Sequence, residues 1–179
     1  MNRPRTNILV DSGDPQGTRQ IKNLLGFVDG QTTNPSLIAN NPEIRGLLAA
    51  GHKLSEDEET AEYRKIVQEI SPVVGEAGVS IEVFSDRKST AQEMFAQGKE
   101  MYSWIPNAYI KYPCTAEGLR AAQMSVQQGL RMNLTLCFSQ QQAAAVYAAT
   151  HADLVQHINR LQQQLHAERE KNKRLKGGT

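Results

Sequence analysis

Short apolar runs alternating with longer amphipathic stretches predict an α/β fold, a parallel sheet covered by helices. Two further observations point the same way. The apolar runs are continuous rather than alternating, as strands buried on both faces require. A strand–helix unit takes about 30 residues, so residues 1–150 hold roughly five of them.

The elements follow in order. Ile8-Leu9-Val10 reads as a buried strand that ends at Asp11-Ser12-Gly13. Residues 15–25 place Ile21, Leu24 and Leu25 on one side of a helix. Phe27-Val28 begins a second strand that runs into Gly30-Gln31-Thr32-Thr33-Asn34-Pro35. Asn34-Pro35-Ser36 then offers a cap and an early proline, so a helix is expected there. Ser55 to Ser71 is a long helix opened by the capping box Ser55-Glu56-Asp57-Glu58, whose acidic turn suits a helix start. Val79 to Phe84 is a third strand and Thr90 to Met101 a helix. Ala108 to Tyr112 is a fourth strand, Ala116 to Gln128 a helix, Leu134 to Phe138 a fifth strand, and a helix starts at Gln140.

Composition excludes several functions. The 179 residues carry 20 Lys and Arg against 19 Asp and Glu, a net charge of +1. A nucleic-acid binder usually shows a strongly basic domain or stripe, so none is expected. No apolar stretch approaches the ~20 residues of a membrane span, and Ile8-Leu9-Val10 is too short for a signal peptide. No membrane partner is expected. Cys114 and Cys137 make neither a disulfide framework nor a zinc set, so both read as small buried hydrophobes in a reduced, cytoplasmic protein. His52, His151, His157 and His166 have no metal spacing and read as surface residues; no metal site is expected. Tyr102 and Trp104 are expected to pack beneath the loop before the fourth strand.

Polar groups stand where packing alone favours aliphatic ones. Asp11 closes the first strand, and Asn34 lies just past the second. Glu82 sits inside the third, Lys111 inside the fourth, and Asn133 and Thr135 share one face of the fifth. Parallel α/β sheets assemble their sites at the C-terminal strand ends. A lysine buried there is costly as a cation, and a neutral amine is a nucleophile that forms Schiff bases with carbonyls. Taken singly, each has a plainer reading. Lys111 reads as a lysine reaching out from an edge strand, Glu82 as a solvated strand residue, Asp11 as a helix cap and Thr135 as an ordinary β-branched strand residue.

Four ordered motifs carry a resemblance. Asp29-Gly30-Gln31-Thr32-Thr33-Asn34-Pro35-Ser36-Leu37-Ile38 closely resembles the threonine-threonine-asparagine-proline-serine signature of the transaldolase family. Ile110-Lys111-Tyr112-Pro113-Cys114-Thr115-Ala116-Glu117-Gly118-Leu119 is similar to that family's Schiff-base lysine motif. Asn133-Leu134-Thr135-Leu136-Cys137-Phe138-Ser139 resembles its following strand, and Ser80 to Val83 the strand bearing its catalytic glutamate.

The resemblance implies a (β/α) barrel of the TIM type and a class I aldol mechanism that needs no cofactor. Lys111 is then the Schiff-base lysine and Asp11 the acid–base residue of carbon–carbon cleavage. Glu82 and Thr135 hold a proton-shuttling water, and Asn34, Asn133, Thr33 and Ser139 bind substrate. The substrates implied are sugar phosphates of the pentose phosphate pathway. Sedoheptulose 7-phosphate and glyceraldehyde 3-phosphate are exchanged for erythrose 4-phosphate and fructose 6-phosphate. A related lysine aldolase that cleaves without transferring carries the same motifs.

After Ser139 the family's phosphate-binding motif and last three strands are not found, so an incomplete barrel of about five of eight strands is expected. From Ala152 the composition turns rich in Gln, His, Lys, Arg and Glu. Residues 151–179 are therefore expected to be a separate amphipathic helical tail, basic at its end. Leu154, Ile158, Leu161 and Leu165 fall at spacings of 4, 3 and 4, the seam of a coiled coil, and suggest homo-oligomers through residues 151–175. An ordinary surface helix has the same spacing. The alternative function is a catalytically inactive truncated piece that associates through this tail.

Overall fold

The computed structural model describes residues 5–151, 163–166 and 168. Its strands are β1 (Val10–Asp11), β2 (Gln31–Thr32), β3 (Val79–Glu82), β4 (Ala108–Pro113) and β5 (Met132–Thr135). They form one sheet in sequence order, every pair parallel. Among the described residues the sheet does not close, so β1 and β5 are its two edges. This is the incomplete barrel that the sequence predicts.

The helices are α1 (Pro15–Leu25), α2 (Pro35–Ala39), α3 (Pro42–Ala49), α4 (Glu56–Val74), α5 (Ala91–Tyr102), α6 (Ala116–Gln127) and α7 (Gln140–Thr150). Their starts follow from sequence. Asp14 caps α1 by accepting the amide of Gln16 ahead of Pro15, and Gly26 ends it in a left-handed conformation. The box of Ser55 and Glu58 opens α4, a second box of Thr90 and Glu93 opens α5, and Thr115 caps α6.

The two faces of the sheet differ. Val79, Ile81, Ala108, Ile110 and Tyr112 are wholly buried on the helix side. Val67, Ile70 and Val74 of α4, Met94 and Met101 of α5, and Ala121 and Ala122 of α6 join them in one core. Close approach is built in: a Cβ on Gly98 of α5 meets the Tyr112 hydroxyl, and one on Gly118 of α6 meets the Pro113 carbonyl. Side chains alternate along a strand. The register therefore puts Asp11, Thr32, Ser80 and Tyr109 in one row on the opposite, open face, and Glu82, Lys111 and Asn133 in the next.

Several boundaries differ from expectation. The first strand is confined to Val10–Asp11, and the third stops at Glu82. The second lies at Gln31–Thr32 and not at Phe27-Val28, because Gly30, with φ 154°, leads the chain into the ladder. The fifth is Met132–Thr135 and not Leu134 to Phe138. Leu136 is left-handed, with φ 62°, and it breaks the strand before Cys137 and Phe138, both exposed. Cys137 is thus not the buried hydrophobe expected, and Cys114 is half-buried.

The expected single helix after Asn34 is two, because Asn41-Pro42 restarts the chain with a second cap: a residue before proline avoids the α region. Helix α4 runs through Pro72 to Val74 rather than ending at Ser71. Asn107, before β4, holds that end: its amide donates to the carbonyls of Ser71 and Gly75, and its oxygen accepts the Ser71 hydroxyl at 2.6 Å.

Trp104 is buried in the turn before β4, edge-on to Tyr63, while Tyr102 is half-buried beneath Arg131. His52, His151 and His166 are exposed. No group of His, Cys, Asp and Glu among the described residues can hold a metal ion. No described helix is long and apolar enough to cross a membrane. His157 and the seam residues Leu154, Ile158 and Leu161 lie outside the described residues, and Leu165 is exposed.

Candidate active site

The C-terminal ends of β2 to β5 open into a cleft of about 880 Å³. Lys111, Glu82, Asn34 and Thr135 line it, together with Glu56 and Glu59 of α4 and Asp86 after β3. Asp11, Thr33, Asn133 and Ser139 are not in its lining.

Lys111 is 8 % exposed, an unusual burial for a lysine, which seldom goes inside unpaired. Its partner is the register neighbour Glu82, whose Oε2 lies 3.0 Å from Nζ. The two carbon stems rise from adjacent strands on the same face, so backbone pairing alone brings the charged ends together. The lysine expected among carboxylate and amide groups at the strand ends is therefore ion-paired with Glu82 at the head of the cleft.

Glu82 is held from behind. Its amide donates to the Tyr63 hydroxyl at 2.9 Å. Tyr63 shares a 2.8 Å hydrogen bond with Thr33, and the Thr33 hydroxyl donates to the Ser80 carbonyl at 2.7 Å. Since Thr33 spends its proton on Ser80, Tyr63 donates to Thr33, and every group in this chain is satisfied. Burial pushes the Tyr63 phenol well above its ordinary value. Thr33, expected at the substrate, is thus buried on the helix side of the sheet with its hydroxyl engaged.

The other expected residues are placed as follows. Asp11 is exposed on edge strand β1, and its Oδ1 accepts the Thr32 hydroxyl at 2.6 Å. It stands one row below Lys111 on the same open face. Asn133 reaches across the width of β4 to donate to the Ser80 hydroxyl. Asn34 caps α2, its Oδ1 accepting the Leu37 amide at 2.8 Å, and still faces the cleft. Ser139 caps α7 through the Gln142 amide and is exposed.

Two positioning residues escape the sequence reading. Tyr63 falls on the apolar stripe of α4 with Ile66, Val67 and Ile70, where a phenol signals only a need for a partner. Gln31, wholly buried, accepts the Thr18 hydroxyl and donates to the Ser12 carbonyl, fixing the loop after Asp11. Gly13 in that loop lies so close to α2 that a Cβ meets the Leu37 carbonyl at 2.5 Å.

Comparison with known proteins agrees with this geometry. A family profile described as Transaldolase/Fructose-6-phosphate aldolase matches residues 8–178. The match extends over residues 151–178, which the motifs alone set apart as a separate tail. A probable transaldolase of Moorella thermoacetica is 39% identical over 142 residues, covering 77% of this chain and 56% of that protein. One of Paracoccus denitrificans is 36% identical over 152 residues, covering 85% and 59%. One of Dehalococcoides mccartyi is 36% identical over 119 residues, covering 66% and 46%. The chain spans about half the length of the curated relatives it matches. With the family's profile running along nearly all of it, the chain belongs to the transaldolase/fructose-6-phosphate aldolase family.

Proposed function

We propose that this chain carries the Schiff-base centre of a transaldolase, with Lys111 as nucleophile. The observation that supports it most is the buried Lys111 paired with Glu82 at 3.0 Å at the head of an open cleft. Glu82 takes a proton from the ammonium, and the free amine attacks the C2 carbonyl of a ketose phosphate. The carbinolamine loses its hydroxyl as water, protons passing through Glu82, Thr135 and a water, and an iminium remains. Asp11 takes the proton of the C4 hydroxyl. The C3–C4 bond breaks, its electrons enter the iminium, and an aldose leaves the dihydroxyacetone enamine. Asn34 and Asn133 hold the substrate hydroxyls, Thr33 supports Glu82 through Tyr63 from behind the sheet, and Ser139 caps α7. The enamine adds to an acceptor aldehyde, Asp11 returns its proton, and water hydrolyses the new iminium.

The proposed substrates are sedoheptulose 7-phosphate and glyceraldehyde 3-phosphate, exchanged for erythrose 4-phosphate and fructose 6-phosphate in the pentose phosphate pathway of the cytoplasm. Borohydride reduction in the presence of fructose 6-phosphate tests the centre. A covalent sugar adduct on Lys111, lost in Lys111→Met, is expected. An adduct on another lysine refutes the assignment, and no adduct favours a non-catalytic piece that associates with other chains. Product analysis with and without erythrose 4-phosphate separates transfer from simple cleavage.

A further inference from the structure

Cys114 follows the last residue of β4, and Cys137 lies two residues past β5. Both are free thiols, the first half-buried and the second exposed. The backbone brings them together. The ladder pairs Pro113 with Thr135. The Cys114 amide donates to the Thr135 carbonyl at 2.8 Å, which carries the pairing one residue beyond β4. With neighbouring strands about 4.8 Å apart, this sets Cys114 beside Leu136, the residue just before Cys137. Left-handed Leu136 turns the chain after Thr135, and after burial the neighbouring Cys137 thiol also pushes the Cys114 thiol up. Neither thiol has a part in the chemistry proposed above.

We propose that Cys114 and Cys137 form a reversible disulfide between the segments that follow β4 and β5, an oxidation site whose oxidant is a hydroperoxide. The exposed Cys137 thiolate attacks the peroxide, the O–O bond breaks, and Cys137 is oxidised to the sulfenic acid while one oxygen leaves as water. The Cys114 thiolate then attacks the Cys137 sulfur; the S–O bond breaks, the hydroxide leaves as water after taking a proton, and the S–S bond forms. Two thiols and one hydrogen peroxide become one disulfide and two waters. The order follows from exposure, since burial pushes the Cys114 thiol up and suits it to the second step. Lys111 stands three residues before Cys114 and Thr135 two before Cys137, so the bond ties together the strand ends that carry both. Only this link to catalysis rests on the proposed function.

The test treats the full reduced chain with hydrogen peroxide, blocks remaining thiols and digests with trypsin without reductant. The expected product joins peptide 112–120 to peptide 132–160, is lighter by two hydrogens than their sum, and separates in dithiothreitol. Cys114→Ser and Cys137→Ser each lose it while keeping the circular dichroism of the parent. Over-oxidation of Cys137 with Cys114 still free, or covalent dimers joined through Cys137, overturns the proposal. Where the reduced chain traps fructose 6-phosphate, the cross-linked chain is expected to trap less and dithiothreitol to restore it. A reduced chain that traps no sugar counts against the proposed function, while the peptide map still decides this one.

Discussion

Lys111 and Glu82 act as a pair because adjacent parallel strands set them in register, so their separate replacement has separate signatures. Glu82→Gln keeps a hydrogen-bond partner for the amine but removes the proton acceptor. The rate of adduct formation is expected to fall by about 10²-fold, in the range of lost general acid–base groups. An unchanged rate excludes Glu82 as that base. Tyr63→Phe leaves the Glu82 amide without its acceptor and is expected to cost about 1 to 3 kcal/mol in urea unfolding. Its pH signature has a definite sign. Burial raises the phenols of Tyr63 and Tyr112 in the folded state, so the stability they lend is whole below the unfolded value of about 10 and is lost as pH rises toward the folded value. Alkaline unfolding is expected to be shallower in Tyr63→Phe than in the parent, and equal slopes contradict the assignment.

At the scale of elements, caps and close approaches set the strand ends at which the site assembles. Thr115 accepts the Gly118 amide at 3.0 Å and starts α6 within the motif that carries Lys111. Thr115→Ala is expected to cost about 1 kcal/mol by chemical denaturation. Gly98→Ala drives a methyl into the Tyr112 hydroxyl, whose other neighbour is Ser125 at 2.9 Å, and is expected to cost about 1 to 3 kcal/mol. A neutral Gly98→Ala places α5 further from β4 than described. The capping box of α4 was legible as an S-x-x-E pattern, because a cap is a local event within four residues. The T-x-x-E box of α5 and the second cap at Asn41-Pro42 are equally local patterns. The run of α4 past Pro72 was not legible, since Asn107 holds it from 36 residues away.

Across the whole molecule, stability is graded along the sheet. β3 and β4 pair on both sides and are walled by α4, α5 and α6, whereas β1 and β5 each have one partner and every residue of β5 is half-exposed. Hydrogen exchange is expected to be slowest in Val79–Glu82 and Ala108–Pro113 and faster by orders of magnitude in Met132–Thr135. Equal protection in β5 means that its open edge is covered in solution. The open sheet also explains why this face reads as polar: Asp11, Ser80, Glu82, Lys111 and Asn133 stand in rows opposite the helix-covered core, and Glu82 and Lys111 line the cleft.

Sequence by itself determined the strand–helix alternation, the parallel order, and the candidacy of Lys111, Glu82, Asn34 and Thr135 for one site. Hydrophobic period and residue type are local quantities, and the motifs are contiguous. Only the tertiary structure decided that Glu82 and not Asp11 is the carboxylate against Lys111, that Thr33 is engaged with Tyr63 behind the sheet, and that two cysteines 23 residues apart follow neighbouring strands. Those outcomes depend on the register between strands, which is set by the packing of helices distant in sequence and is written in no single stretch of the chain.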